Sequence, residues 1–404
     1  MTTLVGLGVR LAKPAMRASL VHALCPTAIS SQLNISKSNA EAALRILDIF
    51  CQSADTDIDE RHLSNLDRVF AGSVLDILDK VDAARKLWQD IVDGKFSVTR
   101  DAIFKMMSLD APALLVDDIY VDDAEDLTPA QIHFLQQQVH ARIIWAGDPE
   151  QQLQGNLAAL DASARLGPVT ILNQSFRMTP EVADLCNLVA AGSPAGLAKA
   201  GLDQSPLLLK GGCDFLALSR FNVQKSVVIA RWDSTLLSMA FETMGEGVHW
   251  VGGCDAVARA FAIYYLWKGC DETMTLPSDE MSSQSRTDDV TAFSSYALLK
   301  DFAIHTHNQQ LLVLTEIVEK YAESTPQIAL RILRNAVPRM DDPGCREIYA
   351  TPERAKGMRW ESVTLAQDFR GDVSDPAERA LLYLACSRAE VNVTGPGLWT
   401  SKWF

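Results

Sequence analysis

The sequence predicts an α/β protein built on parallel sheets, and two stretches carry that expectation. Ile119-Tyr120-Val121 runs straight into Asp122-Asp123-Ala124-Glu125-Asp126, and Ile143-Ile144-Trp145-Ala146 runs into Gly147-Asp148-Pro149-Glu150-Gln151-Gln152. Each is a short apolar run that stops at a carboxylate, the pattern of a buried parallel strand delivering an acid to the carboxyl edge of its sheet. Between them Thr128-Pro129-Ala130-Gln131 opens a helix, with a hydroxyl to cap it and proline at its first position. Strand, helix and strand within about 30 residues make a βαβ unit, and ligands of such sheets sit beyond the strand ends.

Two adjacent acids at such an edge suit metal-assisted phosphate chemistry. Asp122 can hold Mg²⁺ through water and Asp123 can orient a water for attack on a phosphate. Gln151, at the end of the next strand, can sense the same phosphate. Taken alone, Asp122-Asp123 also reads as a solvated acidic turn.

Composition sets the bounds. A chain of 404 residues predicts two or three domains, and 48% hydrophobic with 22% charged residues fits a soluble globular protein. The formal net charge of −14 argues against a surface coated in non-specific nucleic-acid contacts, while leaving room for a local basic groove. No apolar run approaches the length that spans a bilayer. The eight cysteines are scattered without a C-x-x-C pair, which predicts buried thiols in a reducing compartment rather than a zinc ribbon or a disulfide framework. His305-Thr306-His307 has no third ligand nearby and reads as structural.

The remaining elements follow in order. Residues 1–40 hold no acid but contain Arg10, Lys13, Arg17 and Lys37, the composition of a transit peptide or of a basic first helix. Residues 40–51 and 83–92 show helical spacing within a helical region that reaches residue 110. A strand at 169–172 leads through Asn173-Gln174-Ser175-Phe176-Arg177 to Thr179-Pro180-Glu181, a second helix start. That placement puts Arg177 on the same sheet edge as Asp122 and Gln151, where a guanidinium can neutralise charge developing on a phosphoryl group. An ordinary surface arginine is the other reading. Residues 194–212 are rich in Gly, Pro and Ala and read as a linker.

A second α/β unit is expected beyond the linker, with strands at 215–219, 226–230 and 248–253 and a helix at 235–244. A polar loop at 278–289 and a helical insertion at 300–336 precede strands at 348–351 and 362–365. An apolar-faced helix at 378–389 then ends in Arg388, read as exposed, and 391–394 closes the sheet.

The order of these motifs resembles the UvrD/Rep-type superfamily-one DNA helicases, most of all their F-box DNA helicase branch. Asp122-Asp123-Ala124-Glu125-Asp126 is similar to D-E-A-Q-D, and the stretch from Gly147 to Gln152 to G-D-x-x-Q-x. Leu172-Asn173-Gln174-Ser175-Phe176-Arg177 resembles L-x-x-S-F-R, residues 351–360 resemble T-x-H-x-x-K-G-L-E-F, and residues 382–389 resemble L-Y-V-A-x-T-R-A. Cys51-Gln52-Ser53-Ala54-Asp55 is similar to a helical F-x-A-S-A-D-E stretch of that branch. The resemblance covers roughly residues 40–395.

The resemblance implies two RecA-like domains with ATP between them and single-stranded DNA across their tops. Residues 1–40 would be a basic segment, 41–110 helical, 111–193 a partial first RecA-like domain, and 213–404 the second, with its insertion at about 268–345. Asp122 would ligate Mg²⁺, Asp123 would position the attacking water, and Gln151 would couple the γ-phosphate to movement. Arg177 and Arg388 would contact that phosphate from opposite sides. Gly147, Asp148, Gly357, Arg359 and Glu378 fall at nucleotide-contacting positions. The implied activity is 3′-to-5′ unwinding in DNA repair or recombination, inside the cell, in nucleus or cytoplasm, or in the mitochondrial matrix if residues 1–40 act as a transit peptide.

The chain also departs from that pattern. No G-x-x-x-x-G-K-[ST] occurs in it, so no phosphate-cradling loop is present in these 404 residues. Asp123 stands where the family has Glu, Arg359 where it has the Glu of G-L-E, Glu353 where it has the His of T-x-H, and Gln154 and Asn156 where it has aromatic residues. These departures predict poor ATP hydrolysis by this chain alone and weak grip on single-stranded DNA. The alternative expectation is a pseudo-helicase that binds a protein partner.

Overall fold

A computed structural model describes residues 4–21, 24–64, 67–68, 73–152, 170, 172–191, 210–211, 225–269, 290, 293–369 and 375–395. The expected strand at 215–219, the loop at 278–289, most of the linker, and positions Gln154 and Asn156 lie outside these residues. The chain forms two compact units, Met1–Pro168 and Val169–Phe404. Residues 169–193, read from sequence with the first domain, therefore fall in the second unit.

In the first unit, helices α1 (Leu4–Leu11), α2 (Pro14–Ala18), α3 (Pro26–Leu33), α4 (Lys37–Gln52), α5 (Val74–Val92) and α6 (Arg100–Asp110) precede the βαβ unit. The side chains of Ser36, Ser73 and Thr99 cap α4, α5 and α6 by accepting a backbone N–H three residues on. Ile46, Phe50, Val81, Leu87 and Ile103 form the centre of this helical core, against which Val9 and Met16 of the first 40 residues also pack. Gly8 lies so close to α6 that an added Cβ would sit 3.3 Å from the Phe104 backbone. Gly8, Val9 and Met16 thus pack into the unit, while Arg10, Lys13 and Arg17 between and beside them are exposed.

Lys105 ties α6 to the end of α4. Its ammonium is fully buried, donates to the carbonyls of Ser53 at 2.6 Å and Asp55 at 2.7 Å, and lies 4.3 Å from the Phe50 ring centroid. These carbonyls follow the last turn of α4, where backbone acceptors lack helical partners and a cation is favoured.

The βαβ unit forms as its sequence predicts. Strand β1 (Asp118–Val121) and strand β2 (Arg142–Trp145) pair in parallel, with Ile119 opposite Ile143 and Val121 opposite Trp145. Helix α7 (Pro129–Gln136) between them carries a reciprocal capping box in which Thr128 and Gln131 satisfy each other's backbone N–H. The strands are not buried on both faces, however: Tyr120 is 72% exposed, while Val121, Ile119 and Ile143 pack on Phe134 and Leu135 of α7. Only two strands pair in this sheet among the described residues, so one face finds apolar cover and the other does not.

The second unit holds a five-stranded sheet in the order β6-β7-β5-β8-β9, parallel throughout. Before it lie β3 (Gln174–Ser175), helix α8 (Pro180–Ala191) and β4 (Lys210–Gly211). The sheet strands are β5 (Ser226–Ile229), β6 (Val248–Trp250), β7 (Glu347–Ala350), β8 (Trp360–Leu365) and β9 (Ala389–Thr394). Helices α9 (Asp233–Thr243), α10 (Asp255–Lys268), α11 (Tyr296–His305), α12 (Gln309–Tyr321) and α13 (Thr325–Asn335) follow β5 and β6, while α14 (Pro352–Ala355) and α15 (Pro376–Cys386) flank β8. One face of the sheet is covered by α9, α10 and the insertion helices through Leu237, Phe241, Val257 and Leu314. The other is covered by α8 and α15 through Val182, Cys186, Leu382 and Cys386. Cover on both faces is what a parallel sheet requires.

Two expectations are corrected here. Thr170 and Leu172 are described outside any strand; pairing begins at Gln174, which lies opposite Lys210 of the expected linker. Among the described residues β3 pairs with β4, and β1 with β2. Cys25 is exposed, whereas Cys51, Cys186, Cys254, Cys345 and Cys386 are the buried free thiols the composition predicts. Among the described residues no helix is long and apolar enough to cross a membrane.

Burial pushes the Lys105 ammonium from its ordinary 10.5 down to about 8. Between those values the unfolded chain binds the extra proton, so the residue favours folding more as pH rises through this window. Urea unfolding from pH 8 to 10.5 is expected to shift the stability difference between wild type and Lys105→Met towards wild type by about 3 kcal/mol. A pH-independent difference would remove the assignment.

Candidate functional site

The carboxyl edge of β1 and β2 is built by backbone bonds that continue past the strands. Ala146 donates its N–H to Val121 at 2.8 Å, and Ala124 donates to Ala146 at 2.9 Å. The two acidic loops are therefore locked side by side. Asp122 and Asp123 both lie exposed at this edge. Asp123 takes a left-handed backbone, φ +52°, a conformation that short polar side chains tolerate, and its N–H donates to Asp122 Oδ1 at 3.1 Å.

Glu125 organises the second loop from below. Its side chain is 1% exposed and its Oε2 accepts the Asp148 N–H at 3.1 Å. Asp148 in turn caps the 3-10 turn Pro149–Gln151 by accepting the Glu150 N–H at 3.1 Å, and accepts from Gln151 Nε2 at 2.7 Å. Gln152 closes the ring by donating to the Glu125 carbonyl at 3.3 Å. Gly147 is required by close approach: a Cβ there would lie 2.5 Å from Glu125 Oε2. Asp122, Asp123, Gly147, Asp148 and Gln151 are thus brought to one edge.

Sequence reasoning quoted Glu125 inside its motif without assigning it work. A carboxylate between the apolar Ala124 and Leu127, one turn beyond a strand, was the signal that it points inward.

In the second unit the expected residues divide between two sheet edges. Arg177, Gly357, Arg359 and Arg388 belong to the amino end of β8 and β9. Thr179, two residues beyond Arg177, donates its N–H to Glu390 at 2.8 Å, two residues beyond Arg388. Arg388 is not exposed; it is 2% accessible. Its guanidinium donates to the Leu384 carbonyl at 3.1 Å, the Met358 carbonyl at 3.4 Å and Ser387 Oγ at 2.8 Å. A cation folded onto the last turn of α15 satisfies carbonyls the helix leaves open and complements its dipole. Arg359 faces Glu390 at 3.5 Å in a surface ion pair, and Gly357 supplies a turn at φ +79°.

Glu378 lies at the opposite, carboxyl edge, buried in an ion pair with Arg231. Arg231 lies two residues past the end of β5, a strand-then-charge signal like that of Asp122, and was not among the expected site residues. Asp368 accepts the N–H groups of Arg231 and Trp232, both at 3.0 Å, and burial raises its carboxyl above the usual range.

The chain is similar to F-box DNA helicase 1 of Gallus gallus, with 26% identity over 314 residues, 72% of this chain and 29% of that protein. It is also similar to F-box DNA helicase protein 1 of Schizosaccharomyces pombe, with 24% identity over 342 residues, 80% of this chain and 38% of that protein. The chain stands close to the F-box DNA helicase branch. Its helix-rich architecture and parallel sheets agree with the α/β, P-loop-type helicase fold expected from sequence. No family model matches it, and it spans well under half the length of either relative.

Gly147→Ala is expected to lower the unfolding free energy by about 1–3 kcal/mol, the usual cost of overpacking. Because the methyl meets the Glu125 carboxylate, the double variant with Glu125→Ala should cost less than the sum of the single changes. Additive losses in denaturant titrations would show that the two residues do not meet.

Proposed function

We propose that this chain is a DNA-helicase-like protein of the UvrD/Rep kind, related to 3′-to-5′ unwinding in repair or recombination, and that these 404 residues alone do not hydrolyse ATP. The observation that supports the reading is the shared edge of β1 and β2, where Asp122, Asp123 and the Asp148–Gln151 pair stand together at parallel strand ends. Relatives that bear the name DNA helicase support the same direction.

The edge fits Mg²⁺ carried by a nucleotide. Among the described residues no cluster of three or more His, Cys, Asp or Glu side chains gathers to cage a metal. Mg²⁺ does not need one, since it takes one or two carboxylates and completes its shell with water and phosphate. Asp122 would hold it, and Asp123, fixed by its left-handed backbone, would face the same water. A triphosphate fits less well, because these residues offer no glycine-rich cradle of backbone N–H groups to anchor it. Turnover would then require a cradle from polypeptide outside this sequence.

A second reading, a binding module that keeps the helicase fold without its chemistry, is favoured by the state of the arginines. Arg388 is committed to backbone carbonyls and Arg359 to Glu390. An arginine whose N–H groups are already engaged within its own unit has fewer to offer a phosphoryl group.

Purified chain is expected to release no phosphate from ATP above background when single-stranded DNA is added. DNA-stimulated release that disappears in Asp122→Ala would overturn the deficiency and restore the catalytic reading. Affinity for an oligothymidine strand is expected to be weak, with Kd on the order of 10⁻⁴–10⁻⁶ M at physiological salt. Nanomolar, steeply salt-dependent binding would contradict it.

A further inference from the structure

Residues 1–40 hold no acidic residue and precede the stretch that resembles the helicases. Their first two helices turn one side to the core and the other to solvent. Leu4 and Val5 of α1 pack on the cluster around Phe134, while Val9, Ala12, Met16 and Leu20 pack on the helical core. The outward side carries Arg10, Lys13 and Arg17, with Leu11, Ala15 and Ala18 between and beside them, all exposed. We propose that this outward side of α1 and α2 docks an acidic segment of a partner protein, one that carries leucine-like side chains among its carboxylates.

The charges mark the surface. Lys37, Arg61, Arg85, Lys95 and Arg142, exposed elsewhere in the first unit, each face a carboxylate within 3.8 Å. Arg10, Lys13 and Arg17 face none among the described residues. Lys86 and Arg100 also face none, but each is the only such exposed side chain of its helix. Three unmatched cations close together, on a chain of net charge −14, form a local field of opposite sign. Screening over about 8 Å at physiological salt lets a partner there respond to that field rather than to the whole body.

The backbone beneath is already ordered. Helical bonds run to Ala12, whose N–H donates to Gly8 at 2.9 Å, and resume at Lys13, whose carbonyl accepts the Arg17 N–H at 3.1 Å. Pro14 has no N–H to give and holds Lys13 extended, at ψ 145°. With Gly8 seated against Phe104, binding here need order little more than side chains.

The apolar residues decide the class of partner. Leu11 is 52% exposed, and it stands between Arg10 and Lys13 with Ala15 one turn on. A phosphate backbone would match the cations but leave Leu11 against charge, and a duplex brings one charge per about 1.7 Å to an acidic body. A peptide that interleaves carboxylates with leucines meets both kinds of side chain at once, at lower charge density.

A fluorescein-labelled peptide EDLLEELEDLLE is the probe, titrated against the full chain by fluorescence anisotropy. It is expected to bind, and Arg10→Glu, Lys13→Glu and Arg17→Glu together should weaken it at least about tenfold. These side chains touch no core residue, so the Tm of the triple variant should match wild type. The peptide EDSSEESEDSSE keeps every charge and should bind wild type at least about fivefold more weakly, because Leu11 loses its apolar partner. That comparison needs no variant. Absence of binding by the leucine peptide, affinity unchanged by the triple reversal, or equal affinity for the two peptides would overturn the proposal. A 20-base-pair duplex that binds more tightly than the leucine peptide and is lost in the same variant would assign the surface to nucleic acid and overturn it too. Asp122→Ala should leave peptide affinity unchanged, so the result stands apart from the test of ATP turnover.

Discussion

The hydrogen bond from the Asp148 N–H to the buried Glu125 carboxylate is the constraint on which the first unit's edge depends. It joins the loop after β1 to the loop after β2 at a place where each strand has already ended. Without it, Asp148 has no fixed position from which to hold Gln151 and cap the following turn. The bond also explains Gly147, because the carboxylate occupies the space a side chain would need. A buried, hydrogen-bonded carboxylate costs desolvation, and that cost is offset only while its partner N–H stays in place. Sequence, loop geometry and presentation of the exposed acids are therefore linked through one side chain.

Much of this was legible in the sequence, and the failures share a physical cause. The βαβ unit could be read because its signals are local: two apolar runs, a Thr-Pro helix start and a partner Gln three residues on. The second sheet could be read for the same reason, since β5 and β7 are short, mostly apolar runs. Burial of charge could not. Arg388 looks like any arginine at a helix end, and only the return of β8 beside it brings the Met358 carbonyl within reach. Glu378 likewise looked available until Arg231, 147 positions earlier in the chain, was found against it. The pairing of Gln174 with Lys210 could not be read because a two-residue strand carries almost no pattern.

The two units spend their charges differently. In the first, Asp122 and Asp123 face solvent while Glu125 below them carries the structure. In the second, Arg231, Arg388 and Glu378 are drawn inward and matched by the protein itself.

The central claim, that the acid edge is a metal locus positioned by Glu125, is tested most directly by paramagnetic broadening. Mn²⁺, standing in for Mg²⁺, would be titrated into isotopically labelled full chain while backbone amide signals are followed. The account predicts early, selective broadening of Asp123, Gly147 and Gln151 that is lost in Asp122→Ala and displaced in Glu125→Ala. Broadening that begins elsewhere, or that persists at these amides without the Asp122 carboxylate, would contradict it.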